Sequence, residues 1–403
     1  MLVKIIIAII IGVMLGQIVP EFVVRTMNTF VGLFDQLLRF LIPLIIVGLV
    51  TPAIADVGER AGKMLLITVV VAYAFTVFSG LFAYCFSTAL FPSFLDAGGM
   101  AQLEGKSMEF LPYFEIKIPP LADVMTALVV SFMLGLGIAV FKSPTLKSGF
   151  DELKDIVVNT IEKVVIPILP FYIFGLFLDI TAVGKVASVL SAFVAIVIII
   201  FTMTLVLLLL QYSLAGIIIH RNPLPLLRNM LPAYFTALGT SSSAATIPVT
   251  LKRAISNGVS ESVAGFVVPL CATIHLSGST LKITSCAVGL MILLGMPFSF
   301  PMFLGFVMML GVTMVAAPGV PGGAIMAALG VLSGVLGFDS QQQAMMITLY
   351  IAMDSFGTAC NVTGDGAIAL IIDKLHRSNL ARMKKDDQAH TGTEQDKLTI
   401  NKI

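Results

Sequence analysis

Residues 239–248 read GTSSSAATIP and residues 317–323 read APGVPGG, and each of these turn-forming stretches splits a strongly apolar segment. The split segments, 229–250 and 300–336, leave arms that are too short to cross a bilayer, since a full span needs about 20 residues. Two such arms joined at a non-helical tip predict a re-entrant hairpin, which is tolerated at membrane depth only where the tip is buried in protein or lines a watery cavity. The sequence therefore predicts two re-entrant hairpins.

The other apolar segments are long enough to span the bilayer. Of the 403 residues, 58% are hydrophobic and 12% are charged, whereas a soluble domain carries about 25% charged residues. The predicted spans are 3–19, 29–53, 65–91, 121–141, 156–179, 186–219, 262–293 and 341–375. The predicted fold class is an all-α polytopic membrane protein with eight transmembrane helices plus two re-entrant helical hairpins.

The second half of the chain looks duplicated. A hairpin is followed by a helix, which is interrupted at HLSGS (275–279), and then a second hairpin is followed by a second helix. Paired half-membrane hairpins in matching positions of inverted repeats indicate a secondary transporter with its binding site near the bilayer midplane.

Charge balance, loop charges and cysteine spacing exclude further kinds of partner and site. Because 24 Lys and Arg residues balance 23 Asp and Glu residues, no nucleic-acid partner is expected. Most basic residues lie in loops on the same side of the membrane as the N-terminus. By the positive-inside rule, this predicts a cell-membrane protein with both termini in the cytoplasm. The apolar run from Ile5 leads into further spans without a small-residue cleavage site, so it is a first membrane helix rather than a signal peptide. The cysteines have neither disulfide nor metal-ligand spacing: Cys85, Cys271, Cys286 and Cys360.

The last helix carries a polar stripe within DSFGTACNVTGDG (354–366). At about 3.6 residues per turn, four polar groups fall within roughly 60° of one face: Asp354, Thr358, Asn361 and Asp365. Intramembrane carboxylates are costly and are functional candidates by default. A polar seam that joins neighbouring helices is the alternative, and it suits Thr and Asn better than two carboxylates.

The hairpin tips are candidates for the substrate site. The first contains Ser241, Ser242 and Ser243, whose backbone N–H groups at a helix start could hold a substrate carboxylate. Alternatively, the serines only permit close packing. The second tip is predicted to be a flexible gate whose carbonyl groups can face a cation. It contributes four residues to the predicted substrate site: Gly319, Val320, Pro321 and Gly322.

Two basic residues occupy the interrupted helix. His275 and Lys282 lie seven residues apart, which places them near one face if the break does not rotate them. Each also has a structural interpretation, in which His275 is a satisfied buried imidazole and Lys282 extends to the surface.

These segments together resemble the dicarboxylate/amino acid:cation symporter family, which includes the glutamate transporters. The resemblance runs over essentially the whole chain through FDQLLRFLIPLIIVGLV (34–50), LPFYIFGLF (169–177), SSSAATIPVT (241–250), GVPGGAIM (319–326) and NVTGD (361–365). It implies a homotrimer in the lipid bilayer that works as an elevator. Residues 1–225 would form the scaffold and trimerisation domain, residues 226–376 the transport core, and residues 377–403 a disordered cytoplasmic tail.

The resemblance also implies roles for single residues. Asn361 would hold the substrate carboxylate through its side chain and a sodium ion through its carbonyl. Asp365 would bind that sodium ion, Asp354 the substrate amino group, and Thr358 the substrate. The serine tip would complete the carboxylate site. No cofactor is expected, since sodium is a co-transported ion.

The chain departs from the family pattern at several of these positions. Gly357 stands where members with acidic substrates have an arginine, which favours a neutral amino acid and leaves room for a larger side chain. Ser277 and His275 replace the aspartate and asparagine of a deep sodium site, and Lys282 adds a positive charge. The hypothesis is that Lys282, together with His275, replaces that sodium ion, or that a proton is the coupling ion.

The predicted function is therefore a symporter that imports an amino acid, neutral by preference, with sodium or a proton. His275 joins Asn361 and Asp365 as a candidate cation ligand, and His275, Ser277 and Lys282 are the coupling candidates. The alternatives are a symporter of acidic amino acids or C4-dicarboxylates, an anion-conducting channel, and an intramembrane hydrolase. The serine run lacks a nucleophile-elbow motif, so the chain is not expected to be an enzyme.

Overall fold

The computed structural model describes residues 2–59, 63–95, 110–184, 186–317 and 322–400. Within these ranges every regular element is a helix, as predicted. Six stretches of the described chain are long and apolar enough to cross a bilayer: Glu21–Ala55, Met64–Ser93, Pro144–Ala182, Val189–Ile219, Glu261–Leu293 and Asp354–Ser378. The chain is thus a polytopic membrane protein. The count of eight spans stays a prediction, because the first and fourth predicted spans coincide with shorter apolar helices.

Long helices form the N-terminal half. They are α1 (Leu2–Gly16), α2 (Glu21–Glu59), α3 (Lys63–Leu90), α4 (Val124–Phe141), α5 (Pro144–Thr160), α6 (Ile166–Ala182) and α7 (Val186–Ile219). A short π-helix at Ile161–Val165 joins α5 to α6 into one continuous helical span. This span begins at Pro144 rather than at the predicted residue 156. Proline is favoured at a first helical position. Outward-facing apolar side chains such as Val70 and Ile198 are more than half exposed, which suits a lipid environment.

The C-terminal half alternates hairpins with broken helices. Its helices are α8 (Pro223–Thr240), α9 (Ser243–Ser256), α10 (Glu261–Ile274), α11 (Ser277–Leu293), α12 (Phe300–Val315), α13 (Gly323–Leu336), α14 (Ser340–Ala352) and α15 (Asp354–Ile400). The pairs α8/α9 and α12/α13 form the two helical hairpins, and α10/α11 is the helix interrupted at HLSGS. This is the element order that the sequence predicts.

Two features of the last helix differ from the prediction. Residues 341–375 are not one helix, because Met353 leaves the helical backbone (φ −114°, ψ 10°) and Asp354 begins a new helix. An acidic residue is favoured at such a start. Secondly, α15 is helical to Ile400, whereas the sequence predicts a disordered tail over residues 377–403. The segment after Ser378 contains no proline and many good helix formers, so the helical ladder continues.

Local backbone chemistry produces the other breaks. Ser241 ends α8 in a left-handed conformation (φ 51°), and the side chain of Ser242 accepts a hydrogen bond from the N–H of Ala245 to start α9. His275 ends α10 in an extended conformation. Every residue of α11 is buried, and this helix contacts α3, α7, α14 and α15. The breaks are therefore held at the centre of the C-terminal half.

Candidate functional site

Asp354 lies where the broken last helix meets the second hairpin. Its Oδ2 atom accepts a hydrogen bond of 2.9 Å from the backbone N–H of Gly322, the residue before α13. Gly322 has a φ of 77°, a left-handed conformation that favours glycine. A helix start attracts negative charge, so the N-terminus of α13 helps to hold this carboxylate.

The ammonium group of Lys282 neutralises Asp354. The Nζ atom of Lys282 lies 3.7 Å from Oδ1 of Asp354 and donates a hydrogen bond of 3.1 Å to the carbonyl oxygen of Met353. It also lies 3.8 Å from the centre of the Tyr350 ring, within range of a cation–π interaction. Since Lys282 is only 1% exposed, the interpretation that it extends to the surface is wrong.

Gly357 provides the space for this lysine. A Cβ atom at position 357 would overlap the Cε and Nζ atoms of Lys282. The expected room for a larger substrate side chain is therefore filled by Lys282. In the sequence, the missing arginine at position 357 and the additional Lys282 are two separate departures from the family pattern. In the structure they are one, because the side chain of Lys282 fills the space at position 357.

The second carboxylate of α15 pairs with the other basic residue of the interrupted helix. Nδ1 of His275 lies 2.8 Å from Oδ1 of Asp365, and neither side chain is more than 1% exposed. The rise of an α-helix separates Asp354 from Asp365 by about 16 Å along α15. His275 and Lys282 therefore serve different carboxylates and do not act at one point.

Unpartnered polar atoms surround the His275–Asp365 pair. Among the described residues, no hydrogen-bond partner is present for Nε2 of His275, Oδ2 of Asp365 or Oε1 of Gln211. The imidazole and the amide meet over Gly364, where an added Cβ would lie 2.7 Å from both Cε1 of His275 and Oε1 of Gln211. Carboxylate and amide oxygens are the ligands that hard cations prefer. The free oxygens of Asp365 and Gln211 therefore make this place a candidate cation site.

Asn361 caps the start of α11. Its Oδ1 atom accepts hydrogen bonds from the N–H groups of Gly278 at 2.8 Å and Ser279 at 3.3 Å, and its Nδ2 atom donates to Oγ of Ser279 at 3.2 Å. The hydroxyl of Tyr350 donates to the same Ser279 oxygen at 3.0 Å. These contacts satisfy N–H groups that a helix start otherwise leaves free. A substrate carboxylate held by Asn361 must share or replace this cap.

The three serines of the first tip play different parts. The Oγ atoms of Ser241 and Ser355 share a hydrogen bond of 2.7 Å, which connects the tip to α15. Ser242 caps α9, and Ser243 is buried. The hydrolase alternative would use His275 as its base. The Nδ1 atom of His275 is hydrogen-bonded to Oδ1 of Asp365.

A small cavity joins the predicted substrate residues. Its volume is about 30 Å³. Its described lining includes Ser241, Ser243, Asp354, Thr358 and Asn361. Three predicted tip residues, Gly319, Val320 and Pro321, lie outside the described residues.

The N-terminal half also reaches the broken helices. Ser79 of α3 donates a hydrogen bond of 2.8 Å to the backbone carbonyl of Ser277. Gln211 of α7 donates a hydrogen bond of 3.1 Å to the hydroxyl of Ser277. Tyr212 donates to the carbonyl of Thr363 at 2.8 Å. Sequence reasoning missed these residues. The one available signal was Gln211, the only amide in the apolar helix α7.

Comparisons with known proteins agree over most of the chain. Residues 1–375 match the family model of the sodium:dicarboxylate symporter family. The serine/threonine transporter SstT of Acinetobacter baumannii (strain AYE) is 28% identical over 391 residues, covering 93% of this chain and 97% of that protein. The transporter of the same name from Streptococcus thermophilus (strain CNRZ 1066) is 24% identical over 390 residues, with 92% and 95% covered. Excitatory amino acid transporter 4 of Mus musculus is 28% identical over 291 residues, with 68% and 50% covered.

Proposed function

Because the chain belongs to the sodium:dicarboxylate symporter family, we propose that it is a secondary active, cation-coupled symporter that imports a neutral amino acid. As a member of this family the chain is a transporter and not an enzyme. The observation that carries the choice of substrate is the position of Asp354, whose carboxylate lies between the second hairpin, the cavity and Lys282. This carboxylate is the proposed partner of the substrate ammonium group.

Among the described residues that line the cavity, a second substrate carboxylate finds no cationic partner. An arginine would present a fork of donors that fits a carboxylate, but position 357 is glycine and its space is filled by Lys282. The described lining of the cavity does not include Lys282, whose ammonium group contacts Met353, Asp354 and the ring of Tyr350. A neutral side chain therefore suits the site better. The serine/threonine transporters among the relatives add support.

The proposed cation site is centred on Asp365. Its free Oδ2 atom is a suitable oxygen ligand that would travel with the core, and the backbone carbonyl of Asn361 would add a second. The free amide oxygen of Gln211, which belongs to the proposed scaffold, would contribute only in this position of the core. His275 already pairs with this carboxylate, so the site can accept sodium or a proton. With Asp354 and Asp365 negative and Lys282 positive, one monovalent cation makes the core neutral. A neutral core crosses apolar surroundings more readily.

The proposed movement is that of an elevator. Residues 1–225 would form a trimeric scaffold in the cell membrane, with both termini cytoplasmic, and residues 226–376 would carry the cargo. The hydrogen bonds from Ser79, Gln211 and Tyr212 to the broken helices cross this division, so the movement would require each of them to break and re-form.

A symporter of acidic amino acids or C4-dicarboxylates is the second candidate. The family description and the similarity to excitatory amino acid transporter 4 favour it. This function requires Lys282 to turn away from Met353 and Tyr350 and to meet the second substrate carboxylate.

Uptake by proteoliposomes separates the two candidates. Radiolabelled L-serine is offered under a sodium gradient and, separately, under a proton gradient, with unlabelled alanine, threonine, aspartate or succinate as competitors. We expect one gradient to drive uptake, and alanine and threonine to compete while aspartate and succinate do not. Inhibition by aspartate or succinate as strong as inhibition by unlabelled serine would favour the second candidate.

A further inference from the structure

Lys282 contacts the carboxylate that the substrate ammonium group is proposed to bind. The two partners are buried, with Lys282 1% and Asp354 8% exposed. Removing one partner from a buried ion pair leaves an uncompensated charge, which is strongly unfavourable. A symporter meets this problem in every cycle, because the binding site must return across the membrane after the substrate has left.

We propose that Lys282 is a tethered counter-cation for the substrate-free carrier. It pairs with Asp354 whenever no amino acid is bound, and it lets the empty site return without any other cation at this position. The inference rests on the proposed function, and it concerns the return step rather than the choice of substrate.

The geometry allows the lysine to give up Asp354 without losing its own partners. The contact with Oδ1 of Asp354 is 3.7 Å, longer than the hydrogen bond of 3.1 Å to the carbonyl of Met353. The Tyr350 ring lies on the ammonium group at 3.8 Å. A substrate ammonium group can therefore take over Asp354 while Lys282 keeps Met353 and Tyr350.

Loss of Lys282 changes the surroundings of Asp354 differently in the empty and in the substrate-loaded carrier. In the empty site Asp354 and Lys282 sum to zero, and a zwitterionic amino acid adds no net charge. Without Lys282, the loaded site still supplies an ammonium group to Asp354. Among the described residues, no cation then faces the carboxylate in the empty site, although the N–H of Gly322 remains. Loss of Lys282 should therefore slow the return of the empty carrier more than the movement of the loaded one.

The test compares two transport modes in proteoliposomes that contain wild-type protein or Lys282→Met. Net uptake into vesicles without internal substrate needs the empty return, whereas exchange with unlabelled substrate inside does not. We expect net uptake to fall at least about tenfold and exchange to fall by no more than about threefold. In the loaded variant a substrate ammonium group pairs with Asp354 and the excess negative charge lies on the substrate carboxylate, whereas in the empty variant Asp354 itself is unpaired. Serine binding should be at least as tight as in wild type, because a competitor for Asp354 is gone.

Lys252→Met is the matched control, because Lys252 is an exposed lysine on α9, and it should change neither mode. Lys282→Gln keeps a polar side chain and gives the same comparison if the methionine variant does not fold. Equal loss of both modes, unchanged net uptake, or clearly weaker serine binding would overturn the inference. If the wild type shows neither mode with any amino acid, the proposed function itself fails.

Discussion

The side chain of Lys282 occupies the space above the Cα atom of Gly357, so a side chain at position 357 and this lysine conformer exclude each other. Lys282 comes from α11 and Gly357 from α15, one turn after the start of that helix. The two residues therefore act as one unit. Together they remove a donor for a second substrate carboxylate and supply a counter-charge to Asp354.

Gly357→Ala tests this relationship. The added methyl group forces Lys282 out of its position, and overpacking of this kind lowers stability by about 1–3 kcal/mol. We expect a lower Tm in detergent and slower serine uptake. The double variant Gly357→Ala/Lys282→Met should recover most of the lost Tm, since contacting residues show coupled effects. Gly265→Ala is the control, because a Cβ there has open space. Additive losses in the double variant would contradict the arrangement.

Asn361→Ala tests the cap of α11. The substitution leaves the N–H groups of Gly278 and Ser279 without their acceptor, and loss of a helix N-cap costs about 0.5–2 kcal/mol. We expect a reduced free energy of unfolding together with weaker serine binding. Asn159→Ala, at an exposed asparagine on α5, serves for comparison. If serine binding stays at the wild-type level, Asn361 has no part in the substrate site.

Asp365→Asn separates cation binding from substrate binding. Asparagine keeps the size of the side chain and a contact to His275 but removes the charge that a cation needs. We expect at least about a tenfold loss of affinity for the coupling cation, as for a lost charged interaction, with near-normal serine affinity once the cation saturates. Asp155→Asn, on the exposed face of α5, should behave as wild type. A serine affinity that stays low at every cation concentration would show that the roles of the carboxylates are misassigned.

Local signals made much of the fold predictable. The tip GTSSSAATIP and the HLSGS break carry residues that end one helix and start the next, and the structure places both breaks within these stretches. The break at Met353 has one local signal, the acidic Asp354 that is favoured at a helix start, but the sequence prediction assigns this residue to the substrate site and not to a break. At this break, Met353 and Asp354 contact Lys282 and Gly322, which come from distant parts of the chain.

The partners of the two carboxylates were not predictable from spacing. On an unbroken helix, residues seven apart share a face, which suggests a common target for His275 and Lys282. Leu276 has a non-helical backbone (φ −124°, ψ 45°), so α10 and α11 do not share one helical register. His275 consequently meets Asp365 and Lys282 meets Asp354. Such pairings are tertiary contacts, and periodicity along one segment cannot report them.

Equilibrium binding of radiolabelled L-serine to Asp354→Asn tests most directly the claim that Asp354 receives the substrate ammonium group. The substitution removes the charge and leaves the size of the side chain nearly unchanged. With saturating coupling cation and a wild-type Tm as the check on folding, serine binding should fall by at least about a hundredfold, the scale of a lost buried charge pair. A dissociation constant within a few-fold of wild type would contradict the claim.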